Sequence, residues 1–150
     1  MSGKFSLAEQ KEYFLDIVSQ TDQKILARWA IDCAERVLPY FEDENPRDKR
    51  PRKALETLQK WIDTGEFSMS VIRKASLDSH AAAREVAGDS PARSAARAAG
   101  QAVATAHVKT HAIGAAIYGL QAIHRAKGDI IKEREWQYHH LLDLKNQDLG

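Results

Sequence analysis

The stretch SPARSAARAAGQAVATAHVKTHAIGAAIYGLQAIHRAKG, residues 90–128, decides the fold. Its apolar residues recur at spacings of three and four: Ala92, Ala95, Ala96, Ala99, Ala102, Val103 and Ala106, then Ile113, Ala116, Ile117, Leu120 and Ile123. That period is helical. Ser90-Pro91 has the form of an N-cap followed by a first helical residue. A break near Val108–Thr110 divides the stretch into two helices, and Gly128 ends the second. Small side chains let helix backbones approach closely, so this pair is expected at the centre of the molecule. The large residues Trp29, Phe41, Trp61 and Tyr118 then supply much of the buried area.

Helical periodicity continues on both sides. Ser6 and Glu9 have the spacing of a capping box, and Leu7, Phe14, Ile17 and Val18 give the first helix its apolar face. Asp22 caps a second helix with Ile25, Leu26, Trp29, Ala30, Cys33, Val37 and Leu38 as its stripe. Pro39 fits poorly in a helix interior and is expected to bend or end it. The polar segment EDENPRDKRPRK, residues 42–53, reads as a loop marked by Pro46 and Pro51. Pro51 suits the first turn of a third helix, faced by Leu55, Leu58, Trp61 and Ile62 and closed by Gly65. Ser68 or Ser70 caps a fourth helix, with Ile72, Ala75, Ser79, Ala82, Ala83 and Val86 inward and Gly88 at its end. Asp129 caps a last helix carrying Ile131, Trp136, Tyr138, Leu141, Leu142 and Leu144, with fraying expected after Lys145. Alternating strand patterns are absent. Residues 1–150 are therefore expected to form one all-α domain, a single helical bundle of about six or seven helices with an Ala-rich central pair.

Composition narrows the function classes. The 150 residues suit one domain, and a chain this long buries about 70% of its unfolded surface without staples. A formal net charge of +1 argues against a nucleic-acid binder, which usually carries a strong basic excess. Cys33 is the only cysteine, so no internal disulfide forms, and its apolar neighbours make it a buried hydrophobe. Met1 to Phe5 lead into no apolar signal region. Ala112 to Ala126 is too short and too polar to span a bilayer. The expectation is a soluble, cytoplasmic protein with no membrane contact.

Several side-chain groups are candidates for chemistry. His107 and His111 stand four apart, a spacing zinc can use on one helix face, and His80 offers a third ligand beside Asp78. Val108 follows His107 where the zinc-protease motif needs Glu. The more ordinary reading has these histidines bonding backbone or lining a crevice, with no metal and no cofactor. Arg28, Asp32 and Arg36 make a charge ladder on the second helix with Glu35 beside it. Asp48, Arg50 and Arg52 lie in the Pro-bounded loop, where arginine forks suit carboxylate or phosphate. Arg93 and Arg97 stand near a helix N-terminus that favours anions. His139-His140 reads as solvated or interfacial helix surface, and the carboxylates Glu133 and Glu135 as ordinary helix-surface charges. No phosphate loop and no nucleophile elbow is present, so no enzyme is expected.

Certain stretches resemble, together and in order, the proposed immunity proteins of bacterial polymorphic toxin systems, the Imm-five-like group. They are Arg28 to Pro39, Asp48 to Glu56, His80 to Arg84, Arg97 to Val108, His111-Ala112 and Ala115 to Tyr118. Arg97 to Val108 is the most specific of them, and the resemblance spans about residues 25–126. It implies a small helical cytoplasmic protein that binds a cognate protein toxin and blocks it. Matching positions too polar for a pure core are Asp32, Glu35, Arg36, Asp48, Arg50, Arg52, His80, Arg84, Arg97, His107 and His111. These are the candidate partner- or ligand-binding residues; a buried polar network that fixes helix register is the alternative. Two other functions stay open. One is a metal-dependent or small-ligand-binding protein built on a His/Asp/Arg crevice, and the other is a self-associating module, for which a homodimer is the simplest form.

Overall fold

The computed structural model of the protein describes residues 5–149, with side chains described through residue 147. Met1 to Lys4, and with them most of the N-terminal stretch read for a signal, lie outside the described residues, as does Gly150. Seven α-helices follow in order: α1 (Leu7–Ser19), α2 (Gln23–Glu42), α3 (Arg50–Thr64), α4 (Met69–Glu85), α5 (Pro91–Ala104), α6 (His111–Arg125) and α7 (Ile130–Leu149). No strand occurs among the described residues.

The predicted caps set the boundaries. Side-chain oxygens of Ser6, Asp22, Ser68 and Ser90 accept from backbone N–H groups in the first turns of α1, α2, α4 and α5, satisfying donors that a helix start leaves orphaned. Asp129 does the same for Lys132 in α7. Pro51 sits in the first turn of α3, and Gly65 ends that helix at φ +72°, the left-handed position that favours glycine.

Three boundaries differ from expectation. Pro39 lies inside α2, which continues to Glu42. The residue is exposed, and its helix is held on either side by the fully buried Leu38 and nearly buried Phe41; their packing outweighs one missing backbone bond. The polar loop shortens accordingly to residues 43–49. At the other end, α7 runs to Leu149 rather than fraying after Lys145.

Helix α5 is the axle. It packs against α2, α3, α4 and α6, and Ala92, Ala95, Ala96, Ala98, Ala99, Ala102 and Val103 are all fully buried. Helix α6 lies along it and touches α1, α2 and α7 as well. The expected central pair is in fact a central trio, because α2 buries Leu26, Trp29, Ala30, Cys33, Ala34, Val37 and Leu38 completely against both. Trp29 and Phe14 meet edge-on at 5.3 Å, and the Trp29 indole N–H donates to the Gln137 carbonyl at 2.8 Å, which ties α7 to the core. Trp61 and Phe41 are buried as expected, whereas Tyr118 is only half-buried. No helix of the described residues is long and apolar enough to cross a membrane.

Candidate functional site

The candidate residues fall into two groups. Asp32, Glu35, Arg36, Asp48, Arg50 and Arg52 form the first, where α2 meets α3 and α7. Their charges are consumed internally. Arg36 reaches across to α7 and holds Glu133 through two bonds of 2.7 and 3.0 Å. Its guanidinium lies over the Trp136 ring at 3.8 Å. Trp136 in turn stacks on His140 at 4.7 Å, and His140 Nε2 meets Asp32 at 2.7 Å. The charge ladder anticipated along α2 is therefore replaced by a seam between α2 and α7. Glu133, read as an ordinary surface charge, and His140, read as solvated or interfacial surface, are its other half; Glu133 keeps only 10% of its side chain exposed.

Arg52 bridges Glu35 and Glu42, closing α3 onto α2. Arg50 takes both oxygens of Asp48 and both of Glu85, linking the 43–49 loop to the end of α4. The guanidiniums hold Glu42, Asp48 and Glu85 below the usual carboxylate range, chiefly through these hydrogen bonds. Arg50 and Arg52 are shifted upward by the same partners. With every fork filled by protein carboxylates, this group clamps helices together.

The second group, His80, Arg84, Arg97, His107 and His111, lies between α4 and the α5–α6 corner. Here register is set by small residues. Arg97 and Gly100 of α5 meet His80 of α4, and one turn further on Ala104 lies by Arg73 and Leu77. Ser76 and Ser79 donate to the carbonyls of Gly100 and Ala96 at 2.9 and 2.8 Å. The His80 ring lies against Gly100 so closely that a Cβ there would stand 2.7 Å from its Nε2. Gly114 gives Gln101 the same room, and Gln101 Oε1 accepts from His111 Nδ1 at 2.8 Å.

Arg97 approaches His80 Nδ1 at 3.0 Å. A guanidinium can only donate, so Nδ1 accepts and the neutral ring carries its proton on Nε2. Burial, then the charges of Arg97, Arg84 and His111, push the His80 pKa down to about 4. His111 is shifted down by burial and by His107. His107 is exposed and stacks on Phe67 at 6.4 Å.

A groove of about 170 Å³ runs along this side, lined in part by Arg73, Ser76, Leu77, Ala104, His107 and His111. His107 and His111 share it, though not a helix: α5 ends at Ala104, His107 lies in the turn, and His111 opens α6. The i,i+4 chelating geometry is thus lost. Asp78, the proposed neighbour of His80, pairs instead with Lys74 on the opposite flank. Among the described residues no three His, Cys, Asp or Glu side chains come together around a space for a metal ion. Arg93 does not wait for an external anion either; it donates to the Ala83 and Val86 carbonyls at the end of α4.

Sequence reasoning missed Arg73 and Leu77. Their signal is present in the sequence, since 73, 77, 80 and 84 are spaced by four, three and four, but the stripe takes its meaning from α5, which packs against α4. Cys33 is fully buried, and burial raises its thiol pKa well above the usual value; it is the inert core residue expected.

No curated protein and no solved structure matches the chain. A family model described as "Imm-5 like putative immunity protein" matches residues 16–144. The match is wider than the stretch from 25 to 126, taking in the end of α1 and most of α7, including the Glu133 and His140 that complete the α2 seam. The chain belongs to this Imm-5 like immunity-protein family.

Proposed function

We propose that the protein binds a cognate toxin of a bacterial polymorphic toxin system in the cytoplasm and blocks it without catalysis. The observation that carries this reading is the family match, which spans residues 16–144 and so nearly the whole fold. The disposition of charge supports it. Six of the polar candidates, Asp32, Glu35, Arg36, Asp48, Arg50 and Arg52, serve as helix clamps. Of the others, His107 and His111 line a shallow groove suited to contact with another protein surface. His80 is a poor general base there, because Arg97 occupies its Nδ1 lone pair.

The test is co-production in bacterial cells with a toxin encoded beside its gene. The expected result is restored growth and a stable complex of the two proteins on size-exclusion chromatography, with the free chain's elution separating monomer from homodimer. Cells that die regardless, with the two proteins eluting apart, would refute the proposal for that toxin.

A further inference from the structure

Helix α4 separates two flanks that differ in how their charges are paired. On the α3 side, each acid is paired: Asp78 with Lys74, Glu85 with Arg50. On the α5 side, the stripe is Arg73, Leu77, His80 and Arg84, faced by Arg97, His107 and His111. All the titratable groups named on that flank are basic. Among the described residues no carboxylate forms an ion pair with Arg73, Arg84 or Arg97. Arg73 and Arg84 are exposed, and Leu77 between them is 57% exposed. Arg36, Arg50 and Arg52, at the contacts of α2 with α7 and of α3 with α2 and α4, are filled by carboxylates, whereas Arg73 and Arg84 are not. With the chain's net charge at +1, this basic strip is a local feature rather than part of a general basic surface.

We propose that the groove between α4 and α5 is the docking surface for an acidic segment of a partner protein, its carboxylates seated on Arg73, Arg84 and Arg97 and an apolar side chain laid over Leu77. Charge complementarity selects the occupant. A carboxylate satisfies a guanidinium fork bidentately, and an exposed leucine flanked by cations matches an acidic segment that also carries an apolar residue. The proposal rests on the toxin-binding reading only for the identity of the partner; the groove's preference for acidic protein is tested separately.

The full chain is titrated with a synthetic amphipathic peptide of glutamate and leucine, followed by backbone amide resonances. The expected result is shifts confined to the groove, at Arg73, Leu77, Arg84, Arg97 and His111. Binding should weaken with added salt and fall about tenfold in the Arg73→Glu/Arg84→Glu double variant. A peptide with lysine in place of glutamate should then prefer that variant. Arg73 and Arg84 hold no ion pair in the fold, so the variant is expected to stay folded, as circular dichroism checks. The Lys11→Glu/Lys132→Glu variant makes the same charge change on α1 and α7 and should bind the glutamate peptide like the parent. No shifts, shifts elsewhere, or equal weakening in both variants overturns the proposal. The same variants in the toxin co-production assay separate the two readings. Protection that survives Arg73→Glu/Arg84→Glu removes the groove as the toxin's surface and leaves the immunity function standing. Groove binding without protection by the parent chain does the reverse.

Discussion

Arg97 donates to Nδ1 of His80 at 3.0 Å, and the same ring is pressed against the backbone of α5 at Gly100. Two residues of one helix thus fix a single side chain of its neighbour, one by a hydrogen bond and the other by having no Cβ. The arrangement makes a sign-changing prediction. Gly100→Ala should displace His80, because its Cβ would meet Nε2 at 2.7 Å, and should cost about 1–3 kcal/mol. In a His80→Ala background the obstruction is gone, so Gly100→Ala should be neutral or stabilising by up to about 1 kcal/mol from helix propensity. Urea denaturation of the four proteins measures the coupling; equal effects in both backgrounds would contradict the contact.

The same ring gives a pH dependence. The folded pKa of His80 lies at about 4 against an ordinary 6.5. As pH falls through 6.5 the unfolded chain takes up a proton that the folded chain does not, so stability is lost between about 6.5 and 4 and levels off below. The ring is partly exposed, which limits the loss to about 1–2 kcal/mol. His80→Gln should flatten this part of the stability profile. A profile that keeps its slope in the variant assigns the effect to other groups.

Arg36 and Glu133 are unequal partners, with side chains 41% and 10% exposed. Removing the arginine leaves a nearly buried carboxylate alone, whereas removing both charges does not. Arg36→Ala is therefore expected to destabilise by about 2–4 kcal/mol, and adding Glu133→Gln should restore part of it. Thermal unfolding checks the order of the three midpoints: parent highest, double variant intermediate, Arg36→Ala lowest.

Gln137 is wholly buried in α7. Its amide nitrogen donates to the Ala116 carbonyl at 3.0 Å, while its side-chain oxygen has no partner. The unsatisfied oxygen offsets much of what the bond contributes. Gln137→Met, of similar volume, should change stability by less than about 1 kcal/mol. Trp29→Phe removes the indole N–H that holds the Gln137 carbonyl and leaves a gap in a packed site, so it should cost about 2 kcal/mol or more. Denaturant midpoints distinguish the two.

Local signals in the sequence placed most of the helices. Ser90-Pro91, Gly65 and the Ser68 cap act within one turn, and their reading needs no knowledge of the rest of the chain. Of the two outcomes expected of Pro39, a bend or an end, the helix does not end there, because the packing of Leu38 and Phe41, a tertiary effect, outweighs the local preference. The candidate site was legible as a set of residues and not as an arrangement. Asp32 and Arg36 looked like partners of one another, four apart on one helix, yet each finds its partner on α7, about a hundred residues away in the chain. His107 and His111 shared a spacing but not a helix, because the chain turns at Val108 and Lys109 between them. Spacing reports a common face only while the helix lasts.

Helix α5 has a consequence for the order in which the molecule assembles. Alanine has the strongest intrinsic helix preference and no rotamers to freeze, so burying α5 costs backbone order and almost nothing from its side chains. Helices α2, α3, α4 and α6 all pack on it, and α4 and α6 are its neighbours along the chain, which makes their first contacts local. Folding should therefore begin by closing α4 and α6 around α5, with α7 docking late through Trp29 and the Arg36 seam. Substitutions at Ala96 or Ala99 should slow folding, while those at Glu133 or Gln137 should mainly speed unfolding, a difference that stopped-flow refolding reads directly.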